Sequence, residues 1–356
     1  MSMRRSTLKV KRVEKPTYVY DPNKVRRYDM LNLIFNRVSN DPSWAGYKHS
    51  EEKAGLKNIA ENKPGYTRVD YALAEAAWTV HECFSEAWNW DRINRPGGPS
   101  LMGKKWYQSR HYVDDPAEMT RIVKKAAKLY GADLVGVAAY NPLWMQMNKR
   151  FDLSPMDIPE EIRYVIVGAV EMDELGIATS PEAPAGAATG IGYSRMAFMG
   201  ATLAEFVRNL GYTAVPAGNN VGLSVPMAID AGLGQLGRHG LLITPEYGSR
   251  IRLFKVLTDL PLVPDKPIDF GVTEFCRGCK RCAEVCEVDA ISFKDDPDWE
   301  PATKSSSQGA LKWYMDAEKC FEYWCENGMD CSTCISVCPF TKGRSEAHAD
   351  EFWHTN

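Results

Sequence analysis

The chain has 356 residues, 44% of them hydrophobic and 25% charged, with a formal net charge of −3 and a pI of 6.1. That is globular composition with length enough for two or three cores, and it offers no basic field to hold a phosphate backbone, so nucleic acid is not expected as a partner. No run reaches the roughly 18 to 20 consecutive apolar residues of a membrane-spanning helix, so no membrane-spanning segment is expected.

At the start, Arg4-Arg5 followed by Leu8 and Lys9 is faintly like a twin-arginine export signal. Lys11, Arg12, Glu14, Lys15 and Pro16 stand where an apolar stretch would follow, so the expectation is a charged terminus on a cytoplasmic protein; the alternative is the periplasmic mature form of an exported precursor. To about residue 115 the sequence is polar with aromatic punctuation at Trp44, Trp78, Trp88, Trp90 and Trp106. We expect an irregular arm wrapping a larger body, its tryptophans packing into a core or lining a channel. One helix is readable in it, "DYALAEAAWTVHECFSEAW", with Leu73, Ala76, Ala77, Val80, Cys83, Phe84 and Ala87 forming the buried stripe. This makes Cys83 a buried small hydrophobe.

Asp115-Pro116 starts a second helix, with Met119, Ile122, Val123, Ala126, Leu129 and Tyr130 facing inward and Gly131 ending it. "ADLVGVAAY" and "YVIVGAVEM" read as buried strands, "SRMAFMGATLAEFVRNLGY" as a helix, "TAVPAG" as a short strand, "SVPMAIDAGLG" as a helix and "GLLITPEYGSRIRLFKVLTDLPL" as a hairpin-like pair. Such alternation implies a layered α/β core. The proline-rich "PLVPDKPIDFGVTEF" marks its end. The expected organisation is an arm over 1–115, a core over 116–270, a cysteine module over 271–345 and a tail over 346–356.

Nine of the ten cysteines lie between Cys276 and Cys338. A disulfide scaffold would spread them through a small chain, so metal ligation is the better reading. Cys276, Cys279, Cys282 and Cys286 form C-x2-C-x2-C-x3-C; Cys320, Cys331, Cys334 and Cys338 form C-x10-C-x2-C-x3-C before Pro339. A cubane [4Fe-4S] cluster takes one thiolate at each corner, and a loop with two-residue gaps reaches three corners while the fourth comes from elsewhere. If the last cysteine of each run crosses over, as in bacterial two-cluster ferredoxins, Cys276, Cys279, Cys282 and Cys338 hold one cluster and Cys286, Cys320, Cys331 and Cys334 the other. Zinc sites pair two dyads and do not need a trailing fourth cysteine twice, which favours two [4Fe-4S] clusters. Cys325 remains an alternative to Cys320. Glu287 stands where such motifs usually carry proline; beside a cluster, a carboxylate would lower its reduction potential.

The run "TGIGYSRMAFMG", the "AGLGQLGRHGLLITPEYG" segment, "TDLPL", "DKPIDFGVTEFC" and "CSTCISVCPF" together resemble the corrinoid-dependent reductive dehalogenases, in order and spacing, over about 115–345. The resemblance implies an α+β fold, with a nitroreductase-like α/β corrinoid-binding core, a two-cluster ferredoxin-like module and the N-terminal arm. It further implies a base-off cobalamin reduced through both clusters, an organohalide substrate and a separate reduced donor, which could be ferredoxin, flavodoxin-like or a membrane quinol system. A homo-oligomer is left open. By position, the family's tyrosine acid, its neighbouring cation and its asparagine fall on Tyr193, Arg252 and Asn219, with Asn220 adjacent as an alternative. A phenol beside a permanent cation suits protonation of a carbanion-like carbon, and the amide offers two donors. Thr189 would bond within the pocket. Gly234, Gly237, Arg238, Gly240 and Leu241 are a candidate corrinoid wall, where glycine lets backbone approach a flat ring.

Two other readings remain. Epoxyqueuosine reductase, which acts on tRNA, shares these cofactors and uses an aspartate near the region that reads "NNVGLSVPMAIDAG", where Asp230 is the only carboxylate. A non-catalytic electron carrier or corrinoid chaperone is the third.

Overall fold

Four strands of small and β-branched residues carry the fold: β1 (Leu134–Ala139), β2 (Tyr164–Glu171), β3 (Ala214–Ala217) and β4 (Ile251–Thr258). They form one antiparallel sheet in the order β1-β2-β4-β3. The central strands are buried on both faces, which is why β2 reads as a nearly unbroken apolar run and not as alternation, while β4 interrupts its apolar run only at Arg252 and Lys255. The computed structural model describes residues 8–88, 110–150, 152–341 and 343–355; Arg4, Arg5, Trp90 and Trp106 lie outside the described residues, as do the side chains of Phe84, Ala87 and Trp88.

Five helices matter for the site: α1 (Ser50–Ala60), α2 (Arg68–Trp88), α3 (Pro116–Leu129), α4 (Ala183–Asn209) and α5 (Ser224–Asp230). One face of the sheet packs on α3 and α4 through Met119, Val123, Met196, Met199, Leu203 and Val207. The other packs on α5 and the segment around Trp144 and Met145 through Val165, Val167, Val215, Met227 and Leu257. Helix α3 begins where its sequence signal places it, with the Asp115 carboxylate accepting from the Ala117 N–H and Pro116 in the first turn.

Three local expectations are corrected. Helix α4 starts at Ala183, well before Ser194, so Tyr193 sits inside a 27-residue helix and not in front of one. Pro184, Gly186, Gly190 and Gly192 disguise its first half; at Gly190 a Cβ would stand 2.6 Å from the Trp78 indole, so the glycine permits a close crossing with α2. The buried face of α2 is also offset: Ala74 is buried, and Trp78 and His81 turn toward Tyr193, whereas Val80 is 46% exposed and Cys83 is exposed. Ser194 pins the crossing, its Oγ donating to the Ala77 carbonyl at 2.6 Å and accepting from the His81 N–H at 3.2 Å. Finally, the expected hairpin divides. Leu242–Ile243 pair back onto Gln235–Leu236, while β4, with two faces to bury, inserts between β2 and β3.

The N-terminal arm is stitched onto the cysteine module and the core. Lys11–Arg12 pair with Ile268–Asp269, and Val19–Tyr20 with Ala310–Leu311. Arg37 is buried against Asp41 and Glu318. Among the described residues no helix is long and apolar enough to cross a membrane.

Candidate active site and electron path

A cavity of about 880 Å³ opens where the N-terminal arm, α4, the sheet and the cysteine module meet. Trp78 and His81 come from α2, Thr189 and Tyr193 from α4, Asn219 and Asn220 from the turn after β3, Arg252 from β4, and Met329 and Asp330 from the loop before Cys331. Helical spacing puts Thr189 and Tyr193, four apart, on one face of α4.

The Tyr193 hydroxyl is the focus of the wall. Asn219 Nδ2 donates to it at 2.6 Å and Arg252 donates to it at 3.4 Å. The Arg252 guanidinium lies 4.6 Å from the ring centroid, Trp78 stacks on the same ring at 4.6 Å, and His81 meets it edge-on at 5.1 Å. Both hydrogen bonds use lone pairs of the phenol oxygen, so the phenol's own proton is spent on neither partner. Asn220 is buried, and its Oδ1 accepts from the Gly218 N–H. Behind the turn, the fully buried Lys255 donates to the Gly218 carbonyl and to Ser224 Oγ at 2.8 Å, while Gln146 donates to the Asn219 carbonyl at 3.2 Å.

Several wall residues carry no signal in the sequence. His81, one helical turn from Trp78 on α2, comes to Tyr193 only through the crossing with α4, whereas Trp78 stands on the wall as one of the tryptophans expected in a core or a channel. Asp330 is drawn in because it precedes Cys331; burial pushes its carboxyl up, while Arg252 and the Thr189 hydroxyl pull it back. Glu51, on α1, is pushed up to about 7 by burial first and then by Asp330 and Glu75.

All ten cysteines are free thiols. Cys276, Cys279, Cys282 and Cys338 bound one small cavity with Phe275, Ile243 and Phe340. Cys286, Cys320, Cys331 and Cys334 form a second group close enough that their charges act on one another. Burial first, then neighbouring thiols, push Cys276 up to about 11 and Cys282 and Cys320 up to about 12. Thiolates crowded into so dry a place need a polycationic partner, and two iron-sulfur cubanes supply that. Among the described residues no three His, Cys, Asp or Glu side chains gather closely enough to hold a single ion. Cys325 lies apart, in an apolar cluster with Ile34, Trp44 and Phe321.

The two groups are in series with the cavity. Cys331 follows Asp330 on the cavity wall, Cys334 packs against the apolar cluster of Met172, Ile177, Ala188 and Ile335, and Cys282 of the other group is near enough to act on Cys334. The glycine run stands elsewhere. None of Gly234, Gly237, Arg238, Gly240 and Leu241 is on the wall of the large cavity as the described residues form it. A Cβ at Gly234 would meet the Ile243 carbonyl at 2.2 Å, so that glycine serves its own hairpin. Leu241 packs with Met172, Ile177 and Cys334. Arg238, 1% exposed, donates to the carbonyls of Cys276, Arg277, Cys279, Ser292 and Lys294 and lies 4.6 Å over the Trp313 ring. It clamps the first cysteine loop.

Comparison with known proteins agrees with this division. Residues 153–262 match the family model of the reductive dehalogenase subunit, and residues 275–342 match a 4Fe-4S dicluster domain. A tetrachloroethene reductive dehalogenase of Sulfurospirillum multivorans is 41% identical over 93% of this chain and 76% of its own length. The chain belongs to the reductive dehalogenase family. Another tetrachloroethene reductive dehalogenase, from Desulfitobacterium hafniense, is 34% identical over 84% of this chain and 67% of its own length. The fold is shared with a reductive dehalogenase structure described in terms of B12-dependent dehalogenation, at a TM-score of 0.74 and 23% identity, covering 94% of this chain. This chain spans 44% of that longer protein. An epoxyqueuosine reductase of Listeria monocytogenes matches over only 33% of this chain.

Proposed function

We propose that the chain reductively removes halide from an organohalide, with a proton coming from Tyr193; two [4Fe-4S] clusters and a cobalamin would supply the electrons. The observation that carries this reading is the Tyr193 hydroxyl, held by two donors on the wall of a cavity that adjoins the cysteine groups. Cys276, Cys279, Cys282 and Cys338 would hold one cluster, and Cys286, Cys320, Cys331 and Cys334 the other. The cavity fits a large cofactor, since its 880 Å³ is at the upper end of the roughly 300 to 1,000 Å³ of ligand sites. A nitroreductase-like description of the α/β core belongs to the same reading, supported by the helix-covered sheet.

The net reaction takes two electrons and one proton, replaces a carbon–halogen bond by a carbon–hydrogen bond and releases halide. Bound in the cavity, the corrinoid would supply low-potential electrons to the carbon–halogen bond. Tyr193 gives its proton to the carbon that the halide leaves. Arg252 and Asn219, already donating to the phenol oxygen, stabilise the phenolate at that moment without rearranging. The Arg252 guanidinium also favours the departing halide. Thr189 places a hydroxyl beside Asp330 on the same wall. Reducing equivalents come from a separate donor.

The epoxyqueuosine-reductase reading needs an aspartate acid from the region that reads "NNVGLSVPMAIDAG", where Asp230 is the only carboxylate. Asp230 is instead hydrogen-bonded to the Tyr18 hydroxyl at 2.7 Å, and it is not among the described residues that line the cavity.

The test is anaerobic turnover of a panel of halogenated alkenes, arenes and alkanes by protein whose absorption spectrum shows both corrin and iron-sulfur bands. Tyr193→Phe, loaded equally, is expected to lose 10²- to 10⁴-fold in kcat, the usual worth of a positioned acid. An unchanged rate removes Tyr193 from the role.

A further inference from the structure

The glycine run that reads as a corrinoid wall brings a histidine to the first cysteine group. His239 follows the Arg238 clamp, is 2% exposed, and bounds the same small cavity as Cys276, Cys279, Cys282 and Cys338. Its Nδ1 accepts the Leu241 N–H at 3.2 Å. That bond requires a lone pair on Nδ1, so the neutral ring carries its proton on Nε2. Nε2 is buried and has no hydrogen-bond partner.

A buried N–H without an acceptor is costly and rare. The side chains around this cavity are apolar apart from Arg238, which is a donor, and the cysteines, so sulfur is the side-chain acceptor the cavity provides. Gly237 makes room for the ring: a Cβ there would stand 2.8 Å from His239 Cε1.

We propose that His239 donates an N–H···S hydrogen bond to the cluster held by Cys276, Cys279, Cys282 and Cys338 and raises its reduction potential above that of the same cluster without the bond. The inference rests on those four thiols being cluster ligands. One electron from the external donor makes the cluster one charge more negative, no bond breaks, and a donor dipole on its sulfur stabilises that reduced state. Arg238 adds positive charge nearby, but its own donors are taken by backbone carbonyls. The small cavity of this group shares no residue with the wall of the large cavity, whereas Cys331 of the other group follows Asp330 on that wall.

The experiment is an EPR-monitored redox titration of the full chain with both clusters loaded. His239→Phe keeps a ring and loses the N–H; His239→Gln keeps a donor. One of the two midpoint potentials is expected to fall in His239→Phe and to recover in part in His239→Gln, a tenfold weaker uptake of the electron reading as about 59 mV. Reduced wild-type protein labelled with ¹⁵N-histidine is expected to show a ¹⁵N coupling to one cluster by pulsed EPR. Two unshifted potentials in a fully loaded His239→Phe protein overturn the proposal. So does absence of the ¹⁵N coupling in the wild type, which decides the matter even if the variant loses its cluster. A wild type without two reducible clusters overturns the ligand reading itself and this proposal with it.

Discussion

At the scale of single residues, the site depends on side chains that do no chemistry. Lys255 has no acidic partner among the described residues; it is buried in β4 and fastens the turn that aims Asn219 at Tyr193. Burial pulls its pKa down from 10.5 to about 7. The unfolded chain therefore keeps this proton up to pH 10.5, and the folded chain only to about 7. Below pH 7 the full penalty of burying a cation stands, and stability rises with pH from about 7 to 10.5 as the penalty is relieved. Lys255→Met should be more stable than wild type at pH 6, with a gain that shrinks by pH 9, as urea midpoints will show. Its kcat should nonetheless fall by about tenfold, the ~1.4 kcal/mol of one lost hydrogen bond, because the Gly218 turn loses its fastening.

Single residues also mark what a sequence can carry. Tyr193, Asn219 and Arg252 stand in motifs whose order betrays them. His81 and Asp330 do not, because they reach the cavity from segments far away in the chain, through a helix crossing and a ligand loop. Glu287 was read for its charge; it lies exposed, where solvent screens what it does to a cluster.

At the scale of elements, the crossing of α2 and α4 decides whether Trp78 stacks on Tyr193. The periodic half of α4 is legible in its Met196, Met199 and Leu203 spacing. Its glycine-rich half is not, since propensity argues against helix where tertiary packing demands close approach. Gly190→Ala places a methyl 2.6 Å from the Trp78 indole. It should destabilise the protein by about 1–3 kcal/mol, as overpacking does, and move Trp78 off the phenol; a lowered Tm with altered tryptophan fluorescence will report both. A Tm at or above wild type would mean that the crossing yields freely. The hairpin expected after Gly240 divides for a related reason: two apolar runs and a turn are visible in sequence, but only the sheet shows that β4 has better neighbours.

At the scale of the molecule, the cysteine groups were legible because short loops between ligands leave few arrangements, and both groups fell as the crossing rule places them. The arm was legible as a segment that wraps a larger body, but its landing places were not, because Lys11–Arg12 and Val19–Tyr20 contribute edge pairs too short to leave a pattern. Those pairs predict a coupled response. Removing iron with a chelator under reducing conditions takes away ligands that bind only the folded state. The apo chain should then melt lower and be cut by protease both between 276 and 338 and in the first 40 residues. Cleavage confined to the cysteine module would show that the arm holds without it.

The stretch from Asn327 to Cys331 ties these levels together. Asn58 donates to the Asn327 carbonyl at 2.9 Å, Tyr66 to its side chain at 2.7 Å and Tyr71 to the Gly328 carbonyl at 2.8 Å, while Asp330 lines the cavity and Cys331 belongs to the second thiol group. One short segment thus serves the arm, the cavity wall and the second thiol group together, so a change that displaces it disturbs all three at once.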